Sequence, residues 1–134
     1  MAPPRGRAQG GGLCKVDVEV RCLERPVHSG QKGGPVPDPV QILCRLIADL
    51  TSKDGSLNIP GLHRRAASLT VIAFESQPVR GAANQIVDAA RARFSMRTAP
   101  DMDSREAGKR LIRKLTRNPP YRAHVQARIV RRTR

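Results

Sequence analysis

Aromatic residues are nearly absent from this sequence. Its 134 residues include no tryptophan, one tyrosine and two phenylalanines, although 39% of the residues are hydrophobic. A core with so few rings has to be built from Val, Ile, Leu and Ala, and a chain of this length can bury one such core. Sheets that bind single-stranded RNA stack bases on exposed aromatic rings, so the same scarcity argues against an interface of that kind.

Long apolar runs and paired cysteines are also missing. No stretch approaches the ~20 apolar residues that cross a bilayer, and residues 1–12 lack the apolar centre of a signal peptide. Cys14 and Cys22 lie eight positions apart on one predicted strand, too far for a disulfide, and Cys44 lies in a predicted helix. We therefore expect a disordered tail over residues 1–12, reduced thiols, a cytoplasmic location and no membrane contact.

Acidic residues are scarce in the second half of the chain. The net charge is +14, of which residues 1–60 contribute +2 (eight basic, six acidic) and residues 61–134 contribute +12 (seventeen basic, five acidic). From Arg105 onward, eleven basic residues accompany the single acid Glu106. This end of the chain either attracts a polyanion such as nucleic acid or is a solvated, arginine-rich helix face followed by a basic tail over 131–134.

The apolar periodicity predicts four strands and two helices. Residues 13–23 alternate strictly, with valines on one face and charged residues on the other, which is typical of a strand with one buried face. Apolar residues three and four positions apart, as in Ala107, Leu111 and Leu115, indicate amphipathic helices. The predicted strands cover 13–23, 68–78, 84–98 and 123–130, and the predicted helices cover 39–50 and 103–117.

Both predicted helices begin with capping signals. Asp38 is a candidate N-cap, Pro39 suits the first helical position, and Gln41 completes a capping box. Asp103 and Glu106 form the same pattern before the second helix. The boundaries of both helices therefore follow from local chemistry.

The order strand–helix–strand–strand–helix–strand predicts an α+β, ferredoxin-like βαββαβ fold over residues 13–130. Both helices would cover one face of a four-stranded antiparallel sheet. The right-handed crossover rule places the first and third strands in the centre. On the open face, two acids of the first strand would then lie opposite two arginines of the third: Asp17, Glu19, Arg91 and Arg93.

Two stretches carry a more specific signal. They are "VHSGQKGGPVPDPVQILCRLIADLTSKDGSLNIPG" (27–61) and "SLTVIAFESQPVRGAANQIVDAARARFSMRTAPDMD" (68–103). His-Ser-Gly followed by Gly-Gly, the capped helix, the Asp-Gly turn, Ile-Pro-Gly and Asn-x-Ile occur in the order seen in one family. Together they resemble the lid, or dimerisation, domain of the zinc-dependent aminoacylase/carboxypeptidase/dipeptidase family.

This resemblance implies roles for three residues. His28 matches the lid histidine, which in the family reaches the partner subunit's active site and helps to polarise the scissile carbonyl. Asn84 and Arg97 match residues that hold the carboxylate end of the substrate, and an arginine fork suits a carboxylate. Outside this motif, the same residues are equally consistent with a surface histidine, a turn asparagine and an outward-facing arginine.

The zinc-binding half of that family has no counterpart in the sequence. His28, His63 and His124 stand in no His-x-Asp pattern, and no adjacent Glu pair is present to hold two metals and activate water. The resemblance therefore implies a fragment or isolated domain that is inactive alone, with zinc expected only in a separate catalytic domain. Its expected partner is a second copy, bound through Ile42, Leu46 and the strand Leu69–Phe74.

Two other functions remain open at this stage. The charge favours a nucleic-acid-binding ferredoxin-like domain, although the paucity of sheet aromatics argues against it, because Phe94 should face the helices and leaves only Phe74. A gene remnant without a selected function is a third possibility.

Overall fold

A computed structural model describes residues 11–23, 25–28, 37–62 and 67–133. Six strands and two α-helices follow one another in the order β1, β2, α1, β3, β4, β5, α2, β6. Their bounds are β1 Leu13–Arg21, β2 Val27–His28, α1 Pro39–Ala48, β3 Ala67–Glu75, β4 Gln85–Ile86, β5 Ala89–Thr98, α2 Ser104–Thr116 and β6 His124–Thr133. A short 3-10 turn, Pro120–Arg122, precedes β6.

The predicted ferredoxin-like architecture is confirmed. The main sheet has the strand order β3-β5-β1-β6, and every neighbouring pair is antiparallel. Helix α1 packs on β1 and β5, and α2 packs on β6, β1 and β5. The first and third predicted strands thus occupy the centre, as the crossover rule requires. Within the described residues, no helix has the length and hydrophobicity needed to cross a bilayer.

The core is aliphatic and lies between the helices and one face of the sheet. Alternate residues of β1 and β5 are buried there, and Phe94, the one ring in the core, is fully buried, as predicted. Ala107, Leu111 and Leu115 of α2 are all 0% exposed. Burying a Leu side chain contributes about 1.5–3 kcal/mol, so this stripe accounts for the docking of α2.

The helix caps agree with the sequence in part. Asp38 accepts a hydrogen bond from the Val40 amide at 2.9 Å, and Asp103 accepts one from the Arg105 amide at 3.1 Å. Glu106, predicted to complete a capping box, instead lies 3.2 Å from Arg110. Its carboxylate binds side chains one turn further along the helix.

The predicted strand over 84–98 is divided in the structure. Only β5 joins the main sheet, while β4 pairs with β2 in a separate two-stranded ribbon. The break falls at residues 87–88, where the carbonyl of Asp88 accepts hydrogen bonds from the amides of Cys22 and Leu23 at 3.0 and 3.4 Å. These bonds hold the chain between the ribbon and the start of β5.

The last strand is longer than predicted. Strand β6 continues to Thr133 rather than stopping at 130, because it stays paired with β1 as far as Leu13. The predicted tail over 1–12 falls mostly outside the described residues. Its last residue, Gly12, is held in the fold by a hydrogen bond from its amide to the Thr98 hydroxyl at 2.9 Å.

Candidate functional site

The β2–β4 ribbon brings together the backbones of two of the three candidate residues. His28 lies opposite Gln85 in the antiparallel register, and Asn84 is the neighbour of Gln85. The loop before Asn84 is fixed by Gln77, whose side-chain amide donates to the Ala83 carbonyl at 3.0 Å and accepts from its amide at 2.8 Å. Periodicity does not reveal this ribbon, because strands of two residues are too short to show a period.

The third candidate, Arg97, lies at the other end of β5. It is exposed on the open face of the sheet, and its neighbours across the strands are Leu13 and Ser68. Asn84 precedes the first residue of β5, whereas Arg97 is the ninth residue of that ten-residue strand. At 3.3 Å per residue, the length of β5 separates them by roughly 26 Å. One copy of the chain therefore does not bring Arg97 together with His28 and Asn84.

Cross-strand ion pairs occupy the open face between these two ends. The Arg93 guanidinium donates to both carboxylate oxygens of Asp17, at 2.6 and 2.9 Å, and Arg91 lies 3.6 Å from Glu19, so the predicted pairing is confirmed. The hydrogen bond from Arg93 lowers the pKa of Asp17, and partial burial opposes this effect. Arg97 lies further along β5 than these ion-paired arginines.

A second ion-paired arginine ties the ribbon to the main sheet. Arg21, the last residue of β1, lies 2.9 Å from Glu19 and 3.1 Å from Asp88. The hydrogen bond to Glu19 is the largest cause of a raised pKa of Arg21, and the hydrogen bond to Asp88 raises it further. Because Asp88 directly joins β4 to β5, this arginine fixes where the ribbon leaves the sheet.

Metal ligands are sparse in the described part of the chain. There, no three His, Cys, Asp or Glu side chains lie close enough to hold one ion. His124 is exposed on β6, and His63 lies outside the described residues. The described residues therefore do not fit a zinc centre of the kind that needs three or four such ligands.

Strand β3 is an edge strand with exposed apolar side chains. Val71, Ile72 and Phe74 are 41%, 46% and 44% exposed, although Val71 and Phe74 lie opposite the buried Phe94 and Ala92. These two side chains therefore point towards the helix layer, but the helices do not cover them. Ile72 is the extra residue of a β-bulge between Val71 and Ala73.

Helix α1 continues this apolar rim. Its residues 45 and 46 and its C-cap, Asp49, line a groove shared with α2, so the opposite side of α1 is turned towards the β3 edge. At helical spacing, that side carries Val40, Cys44 and Ile47, of which Cys44 is exposed and the other two are half-buried. We call Val40, Cys44, Ile47, Val71, Ile72 and Phe74 the apolar rim.

The rim corrects the predicted contributors from α1. Ile42 is only 1% exposed and belongs to the core, so it has no surface to offer a partner. Leu46 is half-buried and lines the groove towards α2 instead. The predicted strand segment 69–74 does have exposed apolar side chains, those of Val71, Ile72 and Phe74, so its part in a dimer stays a prediction.

Comparisons with known proteins agree with this architecture. The family model of the peptidase dimerisation domain matches residues 12–122. Cysteinylglycine-S-conjugate dipeptidase of Corynebacterium striatum is 25% identical over 157 aligned positions, which cover 88% of this chain and 34% of that protein. Beta-Ala-His dipeptidase of Mus musculus is 36% identical over 59 positions, covering 44% of this chain and 12% of that protein.

Solved structures share the fold. The dipeptidase Dug1p of Saccharomyces cerevisiae superposes with a TM-score of 0.75 at 19% identity, covering 90% of this chain and 36% of that one. Human carnosine dipeptidase 1 gives the same TM-score and identity over 88% of this chain and 36% of its own. The chain thus spans about a third of the length of these relatives, and by its match over residues 12–122 it belongs to the peptidase dimerisation domain family.

Proposed function

We propose that this chain is the dimerisation module of a dipeptidase-like metallohydrolase, a fragment or isolated domain that supplies a dimer interface and substrate contacts. The observation that carries the proposal is the apolar rim beside the edge strand β3. Its three β3 side chains are each more than 40% exposed. An edge strand has unpaired backbone groups, so apolar side chains on it favour pairing with another strand.

A second copy is the occupant that fits this rim. Antiparallel pairing of β3 with its own two-fold copy would join two four-stranded sheets into one of eight strands. The two-fold axis would then be perpendicular to the sheet, so both copies of α1 would lie on the same side and cover Val71 and Phe74. One contact would thus pair the backbone groups of β3 and bury the apolar rim.

The same pairing offers a reason for the separation of the candidate residues. Strand β5 runs antiparallel to its copy in such a dimer, so the ribbon of the second copy would lie at the end of the sheet where Arg97 is. From β5 of one copy to β5 of the other there are three strand spacings, about 14 Å in all at 4.8 Å per spacing. We therefore propose that a working site combines Arg97 of one copy with His28 and Asn84 of the other.

The chemistry of these residues suits a dipeptide substrate. We propose that His28 donates to the oxygen of the scissile carbonyl as negative charge develops there. Arg97 would bind the terminal carboxylate through its planar fork, and Asn84 would add a neutral donor. The metal would come from a separate catalytic domain, where it would activate the attacking water.

Sedimentation equilibrium tests the dimer. The chain should associate at micromolar concentration, and Ile72→Lys should raise the dissociation constant at least tenfold, because it introduces a charge into the centre of the pairing strand. Gln126→Lys is the matched control, since it adds the same charge on the opposite edge strand, β6. A monomer at high micromolar concentration, or equal effects of both variants, would refute the proposal.

A peptidase assay tests the division of labour. We expect no hydrolysis of β-alanyl-histidine or cysteinylglycine by the chain alone, with or without added Zn²⁺. Zinc-dependent turnover by the purified chain would show that it holds a catalytic metal site of its own.

We also propose a cytoplasmic location. Cys14, Cys22 and Cys44, all in the described part of the chain, form no disulfide, and a reducing compartment keeps thiols in that state.

A further inference from the structure

A basic groove runs between α1 and α2 on the face of the molecule away from the sheet. Its cavity measures about 810 Å³, and its cationic lining consists of Arg45, Arg110, Arg113, Lys114 and Arg117. We propose that this helical groove binds single-stranded nucleic acid. The proposal does not depend on dimerisation, because the groove lies on the side of α1 opposite to the apolar rim.

The cations of the second groove wall lie close together along one row. Residues 110, 113 and 114 lie at helical positions i, i+3 and i+4 on one side of α2, and Arg117 directly follows the last residue of that helix. At about 1.5 Å per residue, the row from 110 to 117 is about 10.5 Å long. One strand of a duplex carries a phosphate per ~3.4 Å of axis, so a row of this length is about as long as three phosphate steps.

Neighbouring carboxylates neutralise only part of this charge. Glu106 lies 3.2 Å from Arg110 and 3.4 Å from Arg113, and Asp49 lies 3.1 Å from Lys114. Five cations against two carboxylates leave an excess of three positive charges. Within the described part of the chain, Arg45 and Arg117 make no ion pair, so one cation on each wall is available to a ligand.

One arginine is held in place before any ligand arrives. The Arg110 guanidinium donates to the Pro60 carbonyl at 3.3 Å and lies over Gly61, where a Cβ would collide with it. Gly61 also has a φ of +86°, which glycine adopts without steric cost. The turn at 60–61 therefore positions the Arg110 side chain at the floor of the groove.

An exposed ring next to the groove favours nucleic acid among polyanions. Pro120 lines the groove, and the next residue, Tyr121, is 66% exposed with a φ of +56°. A positive φ is costly for tyrosine, and the ring in this turn is accessible to solvent. Stacking on such a ring is available to any nucleobase and contributes in addition to the phosphate contacts.

Other polyanions fit the groove less well. A lipid surface is flat and binds a convex basic face with apolar side chains beside it, whereas these cations line a concavity. Among the residues whose side chains the structure describes, the exposed large apolar ones other than Tyr121 are Val71, Ile72, Phe74 and Val79, all of them in or after β3. An acidic peptide would use the cations but would gain little from Tyr121.

Fluorescence polarisation with labelled oligo(dT) and oligo(U), each 15 nucleotides long, tests the proposal on the full chain. The logarithm of affinity should fall with that of NaCl concentration with a slope of about −2, since each of the three excess cations contributes about −0.7 through a phosphate contact on single strands. Arg113→Gln combined with Arg117→Gln should reduce the slope by about 1.4 and weaken binding at 50 mM NaCl at least tenfold. The matched control is Arg105→Gln with Lys109→Gln, which removes the same charge from exposed positions of α2 outside the groove.

Tyr121 provides the second arm of the test. Tyr121→Ala should weaken binding about tenfold without changing the salt slope, whereas Tyr121→Phe, which keeps the ring, should bind as the parent chain does. Absence of saturable binding at 50 mM NaCl, or equal losses in both double variants, would overturn the proposal. Polyglutamate or anionic vesicles bound as tightly as oligonucleotide, with Tyr121→Ala unchanged, would overturn the choice of nucleic acid.

Discussion

Arg93 of β5 donates two hydrogen bonds to Asp17 of β1, from Nε to Oδ1 at 2.6 Å and from Nη2 to Oδ2 at 2.9 Å. The two residues are direct neighbours in the register of the two central strands. Their ion pair therefore depends on the alignment of β1 with β5, and the same alignment positions the ribbon and Arg97.

This pair predicts a pH-dependent stability. Arg93 holds the pKa of Asp17 below its usual 3.8, so the folded chain binds fewer protons at this group than the unfolded chain does. The stabilisation is fully present above the unfolded pKa and disappears as the pH falls through the lower folded value. Asp17→Asn should thus destabilise the fold at pH 7 and have little effect near pH 2, measured by urea unfolding.

The effect of this substitution should also depend on salt. Both side chains are partly exposed, at 30% and 45%, so 0.5 M NaCl should weaken the contribution of the pair. Asp101→Asn, in an exposed turn, is the control. A destabilisation by Asp17→Asn that is the same at pH 7 and pH 2 would contradict the assigned role of the ion pair.

Gly108 allows α2 to approach the sheet closely. A Cβ at this position would lie 2.7 Å from Cys14 Sγ and 3.0 Å from Ile129 Cδ1. Replacing a helical glycine by alanine normally adds about 1 kcal/mol, but overpacking a core costs about 1–3 kcal/mol. We expect Gly108→Ala to lower the free energy of unfolding by about 1 kcal/mol.

A double variant separates packing from helix propensity. Cys14→Ala removes the nearest atom, so the combination with Gly108→Ala should cost less than the sum of the two single changes by at least ~0.5 kcal/mol. Lys109→Ala, at the next and exposed position, should be nearly neutral. Stabilisation by Gly108→Ala alone would show that the contact is not tight.

The first helix depends on its N-terminal cap. Asp38 satisfies the Val40 amide at 2.9 Å, and an N-cap of this kind contributes ~1 kcal/mol. Asp38→Ala should reduce stability by about that amount in thermal unfolding, whereas Asp38→Asn, which retains a side-chain acceptor, should change it little. Equal losses in both variants would indicate that the charge, not the hydrogen bond, matters.

Cys44 offers a native probe of the proposed dimer. It is the exposed cysteine, whereas Cys14 is buried, and burial raises the pKa of the Cys22 thiol and lowers its reactivity. Because Cys44 lies on the apolar rim, the two-fold axis should bring it near its own copy. A short bismaleimide should yield a species of twice the mass on denaturing gels.

The cross-link has two controls within the same chain. Cys44→Ser and Ile72→Lys should each abolish it, the first by removing the thiol and the second by separating the copies. Cys22→Ser should leave it unchanged. If cross-linking fails at concentrations where sedimentation shows a dimer, the interface lies elsewhere.

Local patterns were sufficient for most of the fold. The alternation of valines in 13–23 and the stripe Ala107, Leu111, Leu115 specify their elements because each residue's face is set by the backbone period alone. The crossover rule then left one arrangement of the four main strands, and with it the pairing of Asp17 with Arg93. The family resemblance, read from ordered motifs, identified the domain type and the three candidate residues.

The sequence by itself thus determined the architecture, the buried faces of the two central strands and the family, whereas the strand over 68–78, apolar on both faces, gave no indication of which side is covered. Tertiary structure decided the ribbon that brings His28 beside Asn84, because strands of two residues are stabilised only by their surroundings. It also decided that Ile47 rather than Ile42 lies on the rim, since the wide apolar stripe of α1 permits several rotations and packing against α2 selects one. The helical groove was equally hidden, because its cations come from two helices that are distant in the chain and meet only on the folded sheet.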